Sequence, residues 1–217
     1  MIWFIILLCC AILITGFIRY YARKTVRNFQ NGAEQGDPDA QFHLGLLYDE
    51  GRCVPKDKAK AIEWYQKAAL QEDARAQFNL GRMYAKGDGV LKDESKAFEW
   101  IQKAAIQSFF TAPYDLGLMY ATGTGVAKDA AKAFEWWLKA AINGDAEAQY
   151  NLGAMYVNGD GVPIDDIQAY AWFNLAAKNG NKDASQARNT IEYGLTVEQK
   201  SEAEQLSEEL SQKIHAR

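Results

Sequence analysis

Residues 80–105 read LGRMYAKGDGVLKDESKAFEWIQKAA, and the same text returns three more times in register. LGLLYDEGRCVPKDKAKAIEWYQKAA begins at Leu44, LGLMYATGTGVAKDAAKAFEWWLKAA at Leu116, and the looser LGAMYVNGDGVPIDDIQAYAWFNLAA at Leu152. The copies start 36 residues apart, and Trp64, Trp100, Trp136 and Trp172 keep the same interval. A period of this size, held through four copies without a gap, is the mark of a solenoid. Each unit is too small to bury its own apolar face and must stack on its neighbours.

Within each repeat the text reads as two helices. In the first, Ala40, Leu44, Gly45 and Tyr48 fall at i, i+4, i+5 and i+8, on one helical face. The small Ala and Gly admit a neighbouring helix, and Leu and Tyr fill the space beside them. In repeat one this helix is expected over residues 39–50, opening at Asp37-Pro38-Asp39, where Pro suits a first turn. The second helix opens at Asp57, Asp93, Asp129 or Asp165, each a good N-cap. Its stripe is Ala97, Trp100, Ala104 and Ala105, with the Trp read as a packing wedge between layers. The intervening Gly87-Asp88-Gly89-Val90 predicts a tight loop whose glycines take positive φ. No strand precedes it and no Lys-Ser/Thr follows, so it is no phosphate cradle. It also lacks the calcium-loop pattern. Cys53 replaces the second glycine in repeat one, which predicts a distorted loop there.

The ends are unlike the repeats. Residues 2–18, IWFIILLCCAILITGFI, carry no charge and reach the short end of a membrane-spanning length. No Lys or Arg precedes the run, and Thr15-Gly16-Phe17 is a poor cleavage site, so an uncleaved anchor is expected. Arg19, Arg23, Lys24 and Arg27 all follow it, which places the repeats in the cytoplasm as part of a single-pass inner-membrane protein. A periplasmic placement is the alternative. Residues 1–28 therefore read as anchor and basic flank, 29–36 as a linker, 37–180 as four repeats, and 181–217 as a half-repeat and closing helix. Thr196 and Gln199 form a capping box for that last helix. Leu195, Ala203, Leu206, Leu210 and Ile214 give it one apolar stripe.

The chain carries a net charge of −4, but the first 28 residues hold about +4 of basic charge and no acid, so the remainder is acidic. That argues against general nucleic-acid binding, which needs phosphate-neutralising Lys and Arg. The three cysteines (Cys9, Cys10 and Cys53) make no disulfide framework.

The shared pattern A-x-x-x-L-G-x-M-Y-x-x-G-x-G-V-x-x-D-x-x-K-A-x-x-W-x-x-K-A-A resembles the Sel1-like repeat family, relatives of tetratricopeptide repeats. The likeness covers residues 37–180. Departures are Pro113 where other copies have Gln, Gln168 where they have Lys, and Leu175 where they have Lys. The resemblance implies an all-α, right-handed solenoid whose first helices line a concave groove. It also implies a non-catalytic scaffold or adaptor that holds protein or peptide partners. An immunity or inhibitor protein that neutralises a toxin or effector is the alternative, and a hydrolase is a third reading.

Catalysis finds little support. The two histidines, His43 and His215, lie in different elements, with no Cys–His or Ser–His–Asp grouping, no metal-ligand spacing and no cofactor motif. The variable face of each first helix, at i, i+4, i+7 and i+11, is more informative. It holds Asp39, His43, Leu46 and Glu50 in repeat one, and Arg75, Asn79, Arg82 and Lys86 in repeat two. Repeat three places Thr111, Asp115, Leu118 and Thr122 there, and repeat four Glu147, Asn151, Ala154 and Asn158. Repeat two, with three cations and an Asn, resembles the carboxylate clamps of tetratricopeptide relatives: Arg holds a carboxylate bidentately and Asn bonds a peptide amide. The expected partner-binding residues are Arg75, Asn79, Arg82 and Lys86, with His43, Asp115 and Asn151 on the same face. Phe109 and Phe110 precede the third repeat and are expected to pack on Trp136 and Trp137, with an exposed anchor as the alternative.

Overall fold

The computed structural model describes residues 23–109 and 111–215. Their regular structure is helical throughout. A first helix, α1, covers residues 23–34. It is followed by α2 (Pro38–Glu50), α3 (Lys58–Leu70), α4 (Ala74–Lys86), α5 (Glu94–Ile106), α6 (Ala112–Thr122), α7 (Ala130–Ile142), α8 (Ala146–Asn158), α9 (Asp166–Lys178), α10 (Ala184–Glu192) and α11 (Val197–His215). Two compact units divide the chain, one ending at Lys92 and the other beginning at Asp93. The apolar stretch 2–18 lies outside the described residues. Among those described, no helix is long and apolar enough to cross a membrane.

The expected caps are present. The carboxylates of Asp57, Asp93 and Asp129 accept from the backbone N–H three residues on, and that of Asp165 from Ile167 and Gln168. This satisfies first-turn donors that have no partner within the helix. Asp37, Asp73 and Asp145 cap the first helices likewise. In repeat three Thr111 makes no side-chain cap bond, and α6, with the buried Pro113 in its first turn, has 11 residues where the other first helices have 13.

In the N-terminal unit the expected linker is mostly helix. Ala33 is buried with Ala40 and Leu44, and Phe29 packs against that cluster. The reason is a repeat motif too degenerate to read alone. Buried Gln41 donates its amide to the Ala33 carbonyl (3.1 Å), as Gln77 does to Ala69 and Gln149 does to Ala141 eight residues back. Ala33 thus stands one period before Ala69, and α1 occupies the place of a second helix preceding repeat one. Gln71 ties the next layer on by donating to Gln41 Oε1 at 2.8 Å.

The Trp of each repeat is not the main wedge. A β-carbon on Gly45 would meet the Tyr65 ring at 2.8 Å, on Gly117 the Trp137 indole at 2.5 Å, and on Gly153 the Phe173 ring at 2.7 Å. The residue after the repeat Trp therefore fills the hollow left by the first-helix glycine. Trp64, Trp100 and Trp136 are half-buried, with the ammonium groups of Lys67, Lys103 and Lys139 at 3.9, 4.2 and 3.8 Å from their rings. Trp172 is buried, and Leu175, standing where the others have Lys, is buried too. Both lie on α9, the helix against which α10 and α11 pack.

Cys53 does not distort its loop. It takes φ 62°, the left-handed conformation that Gly89, Gly125 and Gly161 take. Those glycines are pressed against a preceding second helix: a β-carbon on Gly125 would lie 2.0 Å from the Glu94 carbonyl oxygen. Cys53 instead borders a cavity of about 660 Å³ beside Arg23, Lys24 and Arg27 of α1. Phe109 is half-buried, and Phe110 lies outside the described residues.

At the C-terminal end Asn181, not Asp183, caps α10, accepting from the Asp183 and Ala184 N–H groups. The capping box forms as expected: Thr196 N–H donates to Gln199 Oε1 (3.0 Å), and Gln199 N–H to Thr196 Oγ1 (3.2 Å). In α11 Ala203 is buried, and buried Ser207 accepts from Asn174 Nδ2 at 3.0 Å.

Candidate partner-binding site

In the N-terminal unit α4 brings Asn79, Arg82 and Lys86 to one cavity of about 230 Å³. It shares that cavity with Asp49 from α2, Lys58 from α3, and its own Met83 and following Asp88. Asn79, Arg82 and Lys86 recur at helical spacing, and the buried Leu80, Gly81 and Tyr84 hold the opposite face of α4 to the core. Lys58 donates to the Asp49 carboxylate and, at 2.6 Å, to Asp88. Desolvation pulls the Lys58 ammonium down, but the bonds to these two carboxylates outweigh it and raise its pKa. Arg82 and Lys86 have no ion-pair partner among the described residues, and both are exposed. The Arg82 guanidinium lies 5.7 Å from the Phe78 ring centre. The cavity therefore offers two unpaired cations and a carboxamide beside an Asp–Lys–Asp cluster that keeps one net negative charge.

Arg75 is not part of this cavity. Its guanidinium bonds Asp73 (2.6 Å) and Asp39 (2.8 Å) and lies 4.3 Å from the Phe42 ring centre. Hydrogen bonds to Asp73, opposed by desolvation and reinforced by Asp39, raise its pKa. The Arg75 bond in turn holds the Asp39 carboxyl below its ordinary value. His43 is drawn to the same cluster: its Nε2 is 3.6 Å from Asp39, and its ring stacks on Phe29 at 5.0 Å. Arg75 thus joins repeat two to repeat one, and His43 meets α1 through Phe29.

Asn151 lines a second cavity, of about 180 Å³, within the C-terminal unit. Every lining residue of the first cavity has its counterpart 72 residues on in the second, which adds Lys128, Ala133 and Trp137. Ala121 replaces Asp49, Ala130 replaces Lys58, Ala154 replaces Arg82 and Asn158 replaces Lys86. The same structural position is thus cationic in one unit and nearly neutral in the other. Asn151 lies near the Tyr114 phenol, whose pKa is raised chiefly by burial. Asp115 is half-buried on α6 and does not line either cavity. Among the described residues no group of His, Cys, Asp and Glu is arranged to hold a metal ion.

Reading one helix face at a time finds Asn79, Arg82 and Lys86 but misses Asp49, Lys58 and Asp88, which come from other elements. Their signal lies in the columns: Asp49 aligns with Ala85, Ala121 and Val157, and Lys58 with Glu94, Ala130 and Asp166.

A model of the Sel1 repeat matches the chain at residues 38–73, 74–109, 112–145 and 146–181. The crystal structure of c5321, a protective antigen of uropathogenic Escherichia coli strains displaying an SLR fold, is 41% identical with a TM-score of 0.75. That match covers 88% of this chain but 41% of c5321, so the chain spans less than half the length of that relative. A Sel1 repeat protein from Oxalobacter formigenes is 35% identical over 78% of this chain and 74% of its own, with a TM-score of 0.69. An immunity protein of Pseudomonas aeruginosa, Pa5087, shares 21% identity over 85% of this chain and 74% of its own, at a TM-score of 0.44, too remote to bear on function. No curated protein sequence matches the chain significantly.

Proposed function

The chain belongs to the Sel1 repeat family, and from that premise we propose a membrane-anchored, non-catalytic scaffold that holds an acidic peptide segment of a partner protein in the cavity of its N-terminal unit. Sel1 repeat proteins typically mediate protein–protein interactions. The observation that carries the reading is the gathering of Asn79 with two unpaired cations, Arg82 and Lys86, around one cavity. Charge-assisted bonds from Arg and Lys to a carboxylate are among the stronger polar contacts, and Asn suits a peptide amide. Arg75 supports this site from outside by bracing α4 on repeat one. The anchor is residues 2–18, with Arg19, Arg23, Lys24 and Arg27 on the cytoplasmic side of the inner membrane.

The test of the site is the double variant Arg82→Glu, Lys86→Glu, titrated with acidic peptides against the parent chain. The expected result is at least tenfold weaker binding with an unchanged helical spectrum. Equal binding by a folded double variant refutes the site. The anchor is tested by a C-terminal compartment reporter beside the mass of the intact chain. A cleaved chain, or a reporter active only outside the cytoplasm, refutes that placement.

A further inference from the structure

Beneath the lining of the cationic cavity sits a polar atom that the fold leaves unsatisfied. Tyr65 on α3 is fully buried, and its hydroxyl has no hydrogen-bond partner. It stands beside Asp49 and Asn79, two of the residues that line the cavity. A buried donor without a partner is costly, and a Phe would fill the same space without that cost. The ring is also held in place: it packs so closely on Gly45 that a β-carbon there would come within 2.8 Å.

The other repeats show that this is not a property of the fold. The equivalents of Tyr65 are Ile101, Trp137 and Phe173. Ile101 and Phe173 carry no polar side-chain atom, and the Trp137 indole N–H donates to the Tyr114 carbonyl at 3.2 Å. The unsatisfied hydroxyl thus occurs in the repeat whose neighbouring first helix carries the unpaired Arg82 and Lys86. Asp49 and Asp88 each hold the Lys58 ammonium through one carboxylate oxygen. The donors that an incoming group would meet are the phenol, the Asn79 amide, the Arg82 guanidinium and the Lys86 ammonium. Such a set takes a group that is all acceptor and carries negative charge.

Resting on the reading of this cavity as the partner-binding site, we propose that Tyr65 is its innermost contact and that its hydroxyl, with Asn79, Arg82 and Lys86, selects an oxyanion of the bound peptide, carboxylate or phosphate. The ligand oxygen enters between Asp49 and Asn79 and accepts from the phenol. Burial raises the phenol's pKa, so it remains a donor at neutral pH.

The experiment is an NMR titration of the full chain in detergent with three acetylated tripeptides. One ends in Glu with a free carboxylate, one carries phosphoserine with an amide terminus, and one carries Gln with an amide terminus. Saturable binding of a charged probe, none of the neutral one, and at least a tenfold loss in Tyr65→Phe support the proposal. The tighter charged probe identifies the oxyanion. Tyr65→Phe should melt no lower than the parent, which separates a lost contact from a damaged fold. Binding by Tyr65→Phe equal to the parent overturns the proposal and leaves the hydroxyl satisfied by a buried water only. Equal binding of the neutral probe, or no saturable binding of either charged one, also overturns it. If Tyr65→Phe binds as the parent does while Arg82→Glu, Lys86→Glu does not bind, the site stands and only the role of Tyr65 falls. If neither change matters, the site itself is wrong.

Discussion

Gly117→Ala is the most direct test of how neighbouring helices of a repeat are fitted. The substitution adds one methyl group inside α6, and by helix propensity alone it should stabilise by about 1 kcal/mol. The structure argues the opposite sign. The new β-carbon would lie 2.5 Å from Trp137 Cδ1 and 2.7 Å from its Nε1, well inside contact distance. The indole has little freedom to yield, because it is 6% exposed and its N–H is bonded to the Tyr114 carbonyl. Forcing it aside incurs an overpacking cost of about 1–3 kcal/mol, and a displaced indole also loses a hydrogen bond of about 1 kcal/mol. The expected net effect is a destabilisation of about 1–3 kcal/mol, read as a lower urea midpoint by circular dichroism at an unchanged slope. In a Trp137→Leu background the obstruction is gone, so Gly117→Ala should there be neutral or stabilising. That change of sign is the coupling the contact requires. A Gly117→Ala chain as stable as its parent would show that the indole moves freely and that the glycine is not there to receive it.

Gln149→Leu removes the donor to the Ala141 carbonyl and the acceptor for Asn179 Nδ2 together. Asn179 is exposed and can turn to water, so the cost comes from the stranded carbonyl of buried Ala141 and should be about 1–3 kcal/mol; an unchanged urea midpoint would refute the role given to this buried amide. The carboxyl of Asp93 is held below its ordinary value, first by the Lys96 backbone N–H and then by the Lys96 side chain. Because the folded pKa is the lower one, this stabilisation is complete above the usual aspartate pKa of about 4 and fades as pH falls through the folded value. Asp93→Asn should therefore flatten the acid limb of a melting-temperature profile below pH ~4, and an unaltered limb would exclude the cap as a contributor. Cys53→Gly should leave stability unchanged or raise it by less than ~1 kcal/mol. Gly125→Cys at the equivalent position should lower stability by about 2 kcal/mol or more, since it adds left-handed strain to a backbone collision. Equal urea midpoints for these two variants would refute the difference between the loops.

Much of the fold follows from residues whose meaning is local. An aspartate before a helix accepts from the first turn wherever the chain runs next, so the caps at Asp57, Asp93, Asp129 and Asp165 and the box at Thr196 and Gln199 are legible in the text alone. Periodicity is weaker when two adjacent positions are both apolar. Trp64 and Tyr65, or Trp136 and Trp137, satisfy the same pattern, and only the hollow at Gly45 or Gly117 decides which of the two enters the core. The helix at residues 23–34 was hidden for a related reason. Its repeat signature has shrunk to Ala33 and the Gln41 that bonds it, too little to separate helix from linker without the partner in view.

The site was partly legible because a helix face is local, while the pairing of charges is not. Face geometry groups Arg75 with Asn79, Arg82 and Lys86, yet Arg75 meets Asp39 one full period earlier and is neutralised there. The same one-period comparison sets Lys86 opposite Glu50, which would neutralise it as well. In the structure Glu50 pairs with Arg52 instead, two residues on in its own loop. Lys86 has no ion-pair partner among the described residues. Arg82 lies opposite Leu46, which has no charge to give. The unpaired cations of repeat two are therefore framed by repeat one, where Asp39 takes up Arg75 and Glu50 is paired with Arg52. Arg52→Ala, a change outside the cavity, is then expected to release Glu50 to Lys86 and weaken oxyanion binding several-fold. Unchanged affinity in the same peptide titration would show that Lys86 is free for some other reason.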